Sequence, residues 1–111
     1  MHKVYFRNIL LCDKAARAAN PFRRFKGLMG RRELLEGEGL LIIPCNQVHT
    51  FRMRFPLDVL YLTRDMRIAR IVTLEPGRVG PRVKEAASVL EVAAGSAAQW
   101  KIAEGDYLTM E

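Results

Sequence analysis

The sequence predicts a mainly β protein of α+β type: a small, strongly bent sheet or barrel of about seven short strands, with two short helices. Three observations lead there. Apolar runs are short, rich in β-branched and aromatic residues, and broken at close intervals by turn residues. Only two segments carry helix-start signals, Asn20-Pro21 and Ser96-Ala97-Ala98-Gln99. At 111 residues, the chain has the length of a single domain spanning 1–111, enough to bury one core without disulfide staples.

The elements follow in order. Val4 to Leu11 reads as a strand. Asp13 to Ala19 is ambiguous, since its alanines favour helix but the segment is short. Asn20-Pro21 opens a helix whose Phe22, Phe25, Leu28 and Met29 share one face, and Gly30 ends it. Glu36 to Gly39 is a turn, and Leu40 to Ile43 is a strand stopped by Pro44. Thr50 to Phe55 alternates, with Phe51, Met53 and Phe55 on one side and Arg52 and Arg54 on the other, the pattern of a half-buried strand. Val59 to Leu62 and Arg67 to Leu74 flank the polar turn Arg64-Asp65 and form a hairpin. Glu75 to Lys84 is a loop, and Ser88 to Ala93 is a strand. Ser96 and Gln99 match a capping box, so a short helix containing Trp100 follows. Trp100 serves as its anchor on the sheet. Gly105-Asp106 is a turn, and Tyr107 to Met110 is the last strand.

Several blocks of this pattern resemble a known family. GLMGR at Gly27–Arg31, EGLLIIPCNQVHTFRMRFPLDVLYL at Glu38–Leu62, VLEVAAG at Val89–Gly95 and IAEGD at Ile102–Asp106 are similar to the domain of unknown function 192 family. They occur in the family's order and cover most of the chain. The resemblance implies a compact β-rich fold with two short helices and no established activity. Many family members resemble exported or anchored proteins with an N-terminal signal. Here Arg7 and Asp13 interrupt the first apolar region, so a cytoplasmic location is expected.

Composition narrows the function classes. Half the residues are apolar and 27% are charged, as in ordinary soluble proteins. No apolar run approaches the ~20 residues of a spanning helix. The two cysteines, Cys12 and Cys45, read as free thiols. The net charge of +6 is uneven: residues 1–32 carry +8 and residues 33–111 carry −2. A basic first third, concentrated in Arg23, Arg24, Lys26, Arg31 and Arg32, suits nucleic acid or an anionic surface. The favoured reading is a solvated helix face with arginines covering apolar surface, since no nucleic-acid motif accompanies the charge.

The chemistry-bearing residues concentrate between Pro44 and Leu62. Cys45 and His49 are the pieces of a thiolate–imidazole pair, but four residues of straight strand span about 13 Å. Only a fold-back at Asn46 to Val48 would join them. Cys45, His49 and Met53 are soft or borderline metal donors under the same condition, and the expectation is no metal and no cofactor. His49 has strand parity with Phe51 and needs a hydrogen-bond partner if buried. Asp58 and Glu91 are the nearby acids.

The expected function is a small soluble binding or interaction module. Its polar site is centred on His49, Arg52, Arg54 and Asp58 and takes an anionic or polar ligand. The rival reading is a thiol-dependent hydrolase using Cys45, His49 and Asp58. The third is nucleic-acid or anionic-surface binding by the basic first third.

Overall fold

The computed structural model describes residues 1–18, 33–51 and 53–111. The helix expected after Asn20-Pro21, the basic cluster from Arg23 to Arg32, and Arg52 lie outside the described residues. The described chain forms strands β1 (His2–Phe6), β2 (Ile9–Ala18), β3 (Glu38–Ile42), β4 (Leu57–Leu62), β5 (Ile68–Leu74) and β6 (Ser88–Ala93). Helix α1 (Ser96–Trp100) and strand β7 (Thr109–Met110) follow.

All seven strands join one sheet, in the order β5-β4-β6-β3-β2-β1-β7. The β2–β3 pair is parallel and every other pair is antiparallel. The sheet curls until its edges meet at one end. Ile68 N–H donates to the Asp106 carbonyl at 2.7 Å, Gly105 N–H to Ile68 at 2.7 Å, and Leu108 N–H to Met66 at 2.9 Å. The chain leading into β7 thereby pairs with the start of β5 and hides backbone groups that an open edge would expose.

Central strands read as nearly unbroken apolar runs because both of their faces are covered. Every residue of β4 is buried, and so is β6 up to Val92. Strand parity then divides the apolar side chains into two cores. Leu41, Leu60, Leu62, Leu90 and Val92 face the first, together with Ala97 of α1 and Ile102. Leu40, Ile42, Val59, Tyr61 and Val89 face the second, under Val48, Met53, Phe55 and Val83 from the loops. Each fully buried aliphatic side chain contributes roughly 1.5–3 kcal/mol. Trp100 packs half-buried against the first core, which is the anchoring role expected of it.

Several local expectations change. The expected strand from Val4 to Leu11 is a hairpin, broken at Arg7 and Asn8, whose φ values of 50° and 67° make a two-residue turn. Asp13 to Ala18 is strand, not helix, because pairing to β1 and β3 on either side outweighs alanine's weak helix preference. Thr50 to Phe55 is not a strand. Met53 N–H donates to the Thr50 carbonyl at 3.1 Å, which closes a turn, and Phe51 is exposed while Met53 and Phe55 are buried. The capping box at Ser96 is not used either. The N-cap residue is Gly95, at φ 92°, and the capping carboxylate comes from Asp58.

Candidate functional site

The loops over the second core form a strap. Residues 46–50 run antiparallel to residues 78–83. Val83 N–H donates to Asn46 at 2.9 Å, Gly80 N–H to Val48 at 2.8 Å, and Thr50 N–H to Arg78 at 2.8 Å. Two buried hydroxyls pin this strap. Thr50 Oγ1 donates to the Glu75 carbonyl at 2.6 Å and accepts from Arg78 N–H at 2.9 Å. From the sheet below, Tyr61 donates to the Pro81 carbonyl at 2.8 Å. Gly80 is the residue that permits the close approach, since a Cβ there would sit 2.8 Å from the Tyr61 hydroxyl.

A cleft of about 760 Å³ opens at one end of the strap. Three segments build it: residues 43–46, the hairpin residues Thr63, Arg64 and Met66, and residues 84–88. Cys45 is held at the first, where its N–H donates to Ala87 at 3.1 Å and its thiol to the Gln47 carbonyl at 3.2 Å. The second is the tip of the β4–β5 hairpin. There Met66 takes φ 68°, Met66 N–H returns to Thr63 at 3.0 Å, and the Thr63 hydroxyl donates to Asp65. That bond holds the Asp65 carboxyl below its usual range. Two exposed cations, Arg64 and Lys84, reach the cleft with the neutral groups of Asn46, Thr63 and Ser88. Glu85 is the acid among its lining residues.

The structure does not gather the expected site residues. Asp58 has the parity of Leu60 and Leu62, on the first-core face. It is 2% exposed and its carboxylate is committed there. Oδ1 accepts from Thr73 at 2.7 Å, and Oδ2 accepts from the N–H groups of Gly95 at 3.1 Å and Ala97 at 3.0 Å. His49 lies in the strap over the opposite face, bridged to Val79, with its ring stacked on Phe51 at 4.7 Å. Pro56 and the turn at 50–53 reset the alternation between them, so parity does not carry from His49 to Asp58. Cys45 lines the cleft, whereas His49 lies further along the strap, bridged to Val79. Arg54 is exposed, and Met53 is buried in the second core. Among the described residues no group of three or more His, Cys, Asp or Glu side chains is placed to hold a metal ion.

The two thiols differ. Cys12 is fully buried in the first core, and burial, with Asp13 adding to it, pushes its pKa up to about 11. Cys45 is half-buried at the cleft. On the second-core face, burial pushes the Tyr61 phenol up to about 12. Cys45 and Glu91 add to the rise and Arg70 opposes it.

Sequence reasoning did not single out Asn46, Arg64 or Lys84 as site residues. Each sits in a segment legible only as a turn or loop, and the three segments are brought together by strand pairing. The Pro44 stop and the Arg64-Asp65 turn were the signals present, and both mark strand ends at the same edge of the molecule.

Comparison with known proteins adds the family and the fold. The sequence matches the family DUF192, Uncharacterized ACR, over residues 9–110. No curated protein matches it. Among solved structures, a protein of unknown function from Novosphingobium aromaticivorans is similar, at 24% identity and a TM-score of 0.78. That match covers 97% of this chain and 82% of that one. A protein from Sinorhizobium meliloti called a "putative transcription regulator" is similar at 23% identity and a TM-score of 0.71, over 98% of this chain and 91% of that one. At these identities the likeness establishes the shared fold. No helix among the described residues is long and apolar enough to cross a membrane.

Proposed function

The chain belongs to the DUF192 family, an uncharacterised one, and from that premise we propose that it is a binding module for a small anionic ligand held in the cleft beside Cys45. The observation that carries this reading is the convergence of Arg64 and Lys84 on a cleft of about 760 Å³ that also offers Asn46, Thr63 and Ser88. A guanidinium supplies a planar fork for a carboxylate or phosphate, and an ammonium supplies a compact charge. The side-chain amide of Asn46 can donate to a remaining oxygen. The volume lies in the ~300–1,000 Å³ range typical of small-molecule sites. The anionic ligand expected from the sequence is kept, and its site moves from His49 and Asp58 to the cleft.

An NMR titration of the backbone amides with inorganic phosphate and with citrate, at low salt, tests this. Saturable shifts at Asn46, Arg64 and Ser88 are expected. Replacing both Arg64 and Lys84 by alanine weakens binding by tenfold or more, the loss of about 1.4 kcal/mol or above. Shifts that scatter over the surface, or that survive the double replacement, remove the reading.

One observation favours thiol chemistry as a second reading: of the two cysteines, only Cys45 lines the cleft. A nucleophilic Cys45 labels with iodoacetamide at pH 6 much faster than a free thiol of ordinary pKa. Labelling at or below the ordinary rate removes the enzyme.

A further inference from the structure

We propose that the outer face of the strap binds single-stranded nucleic acid, with Phe51 as the base-stacking platform. Phe51 is 45% exposed, although its neighbours Thr50 and Met53 are buried. Its ring is not loose, because it stacks on His49 at 4.7 Å with 28° between the planes. Val79, bridged to His49, is 60% exposed and extends the apolar surface. An exposed aromatic ring held flat by a second ring offers a π-face to a base of any sequence.

Cations accompany this platform. Arg54, Arg78 and Arg82 are all exposed on the strap and its flanking turn. Arg78 is fixed beside the platform through both of its backbone groups: its carbonyl accepts from Thr50 N–H, and its N–H donates to Thr50 Oγ1 at 2.9 Å. Exposed Glu75 is the acid at that end. The paired segment 46–50 is about 13 Å long. That is enough for several phosphates, spaced by ~3.4 Å or more along a strand. Aromatic stacking next to a cationic track is the recurring arrangement of sequence-tolerant single-strand binders. A protein partner is disfavoured by the size of the apolar area, two side chains where a stable interface buries about 800 Å² per partner. The Phe51 platform lies at the Thr50–Arg78 end of the strap and the cleft at the Asn46–Val83 end, with Arg82 towards the cleft.

The test is fluorescence anisotropy of a labelled oligothymidylate, about twelve nucleotides long, titrated with the full chain at low salt. Binding is expected to weaken with salt, with a log–log slope near −2 if three arginines each neutralise a phosphate. Phe51→Ala weakens binding about tenfold or more, while Phe51→Trp retains it. Replacing Arg54, Arg78 and Arg82 by alanine flattens the slope. Thermal melting of the Phe51→Ala protein matches the parent, because the ring is on the surface. Three results overturn the proposal. One is no anisotropy change at low salt. The second is binding indifferent to Phe51→Ala and to the three arginines, which assigns it to the basic first third of the chain. The third is retention by phosphatidylserine vesicles without oligonucleotide binding, which makes the surface a membrane contact.

Discussion

The two faces of the sheet are covered by different means. On the first-core face, the cover is helix α1 and the chain leading into β7, and Asp58 holds the start of α1 by accepting from the N–H groups of Gly95 and Ala97. On the second-core face, the cover is the irregular strap, and hydroxyls of Thr50 and Tyr61 tie it to the carbonyls of Glu75 and Pro81. Helix α1 is five residues long, so its N-terminal N–H groups depend on the Asp58 carboxylate, and capped in this way it presents a closed surface. A strap of loops leaves side chains of many directions at its rim, and the cleft forms there. The contrast separates a carboxylate that holds the fold from polar residues that can meet a ligand.

The largest test of this contrast is Asp58→Ala. It strips a buried carboxylate from two backbone N–H groups and a hydroxyl, and a loss of about 3–4 kcal/mol is expected by urea unfolding. Binding of phosphate or citrate in the cleft by the folded fraction should be unchanged. If stability held and cleft binding fell, Asp58 would belong to the site after all.

Alkaline pH probes both faces in turn. Cys12 holds its proton to about 11 when folded, against 9.0 in the unfolded chain, and Tyr61 to about 12 against 10.0. Between each pair of values the folded state binds more protons, so stability falls as pH rises. The contribution is intact below pH 9 and is lost progressively from there, on the order of 2 kcal/mol for each group. In Cys12→Ala the fall should begin a unit later, near pH 10, where Tyr61 starts to contribute. Urea midpoints from pH 8 to 11 measure it.

Gly80→Ala sets a methyl against the Tyr61 hydroxyl, with Leu74 Cδ1 at 3.1 Å and the Val48 carbonyl at 3.3 Å. The strap must lift, at a cost of about 2 kcal/mol. Tyr61→Phe is milder: it leaves the Pro81 carbonyl without its donor and should cost about 1 kcal/mol. The two replacements together should cost less than their sum, because removing the hydroxyl makes room for the methyl. Additive values would mean that the strap rests on Tyr61 less closely than the distances imply.

Much of the fold was legible from residue types. Ser88 to Ala93 is strand from end to end, and the hairpin across Arg64-Asp65 forms as β4 and β5. These segments are apolar and bounded by turns, and burial on both faces demands such a composition. Less legible was Asp13 to Ala18, where the residues are permissive and only the neighbours β1 and β3 make them strand. The Phe51-Met53-Phe55 alternation misled because period-two spacing also occurs by chance in a turn. The cap of α1 was invisible for a different reason: its donor groups lie 37 and 39 residues from Asp58.

The sequence by itself determined where the central strands run and the family to which the chain belongs, since both depend on residue types in fixed local order. Only the tertiary structure decided that His49 and Asp58 lie on opposite faces. The same is true of Cys45, which shares its cleft with Arg64 and Lys84. Face assignment is inherited along a strand but lost through a turn, and a cleft made of three loops depends on pairing between distant strands. Neither is written in the spacing of neighbouring residues.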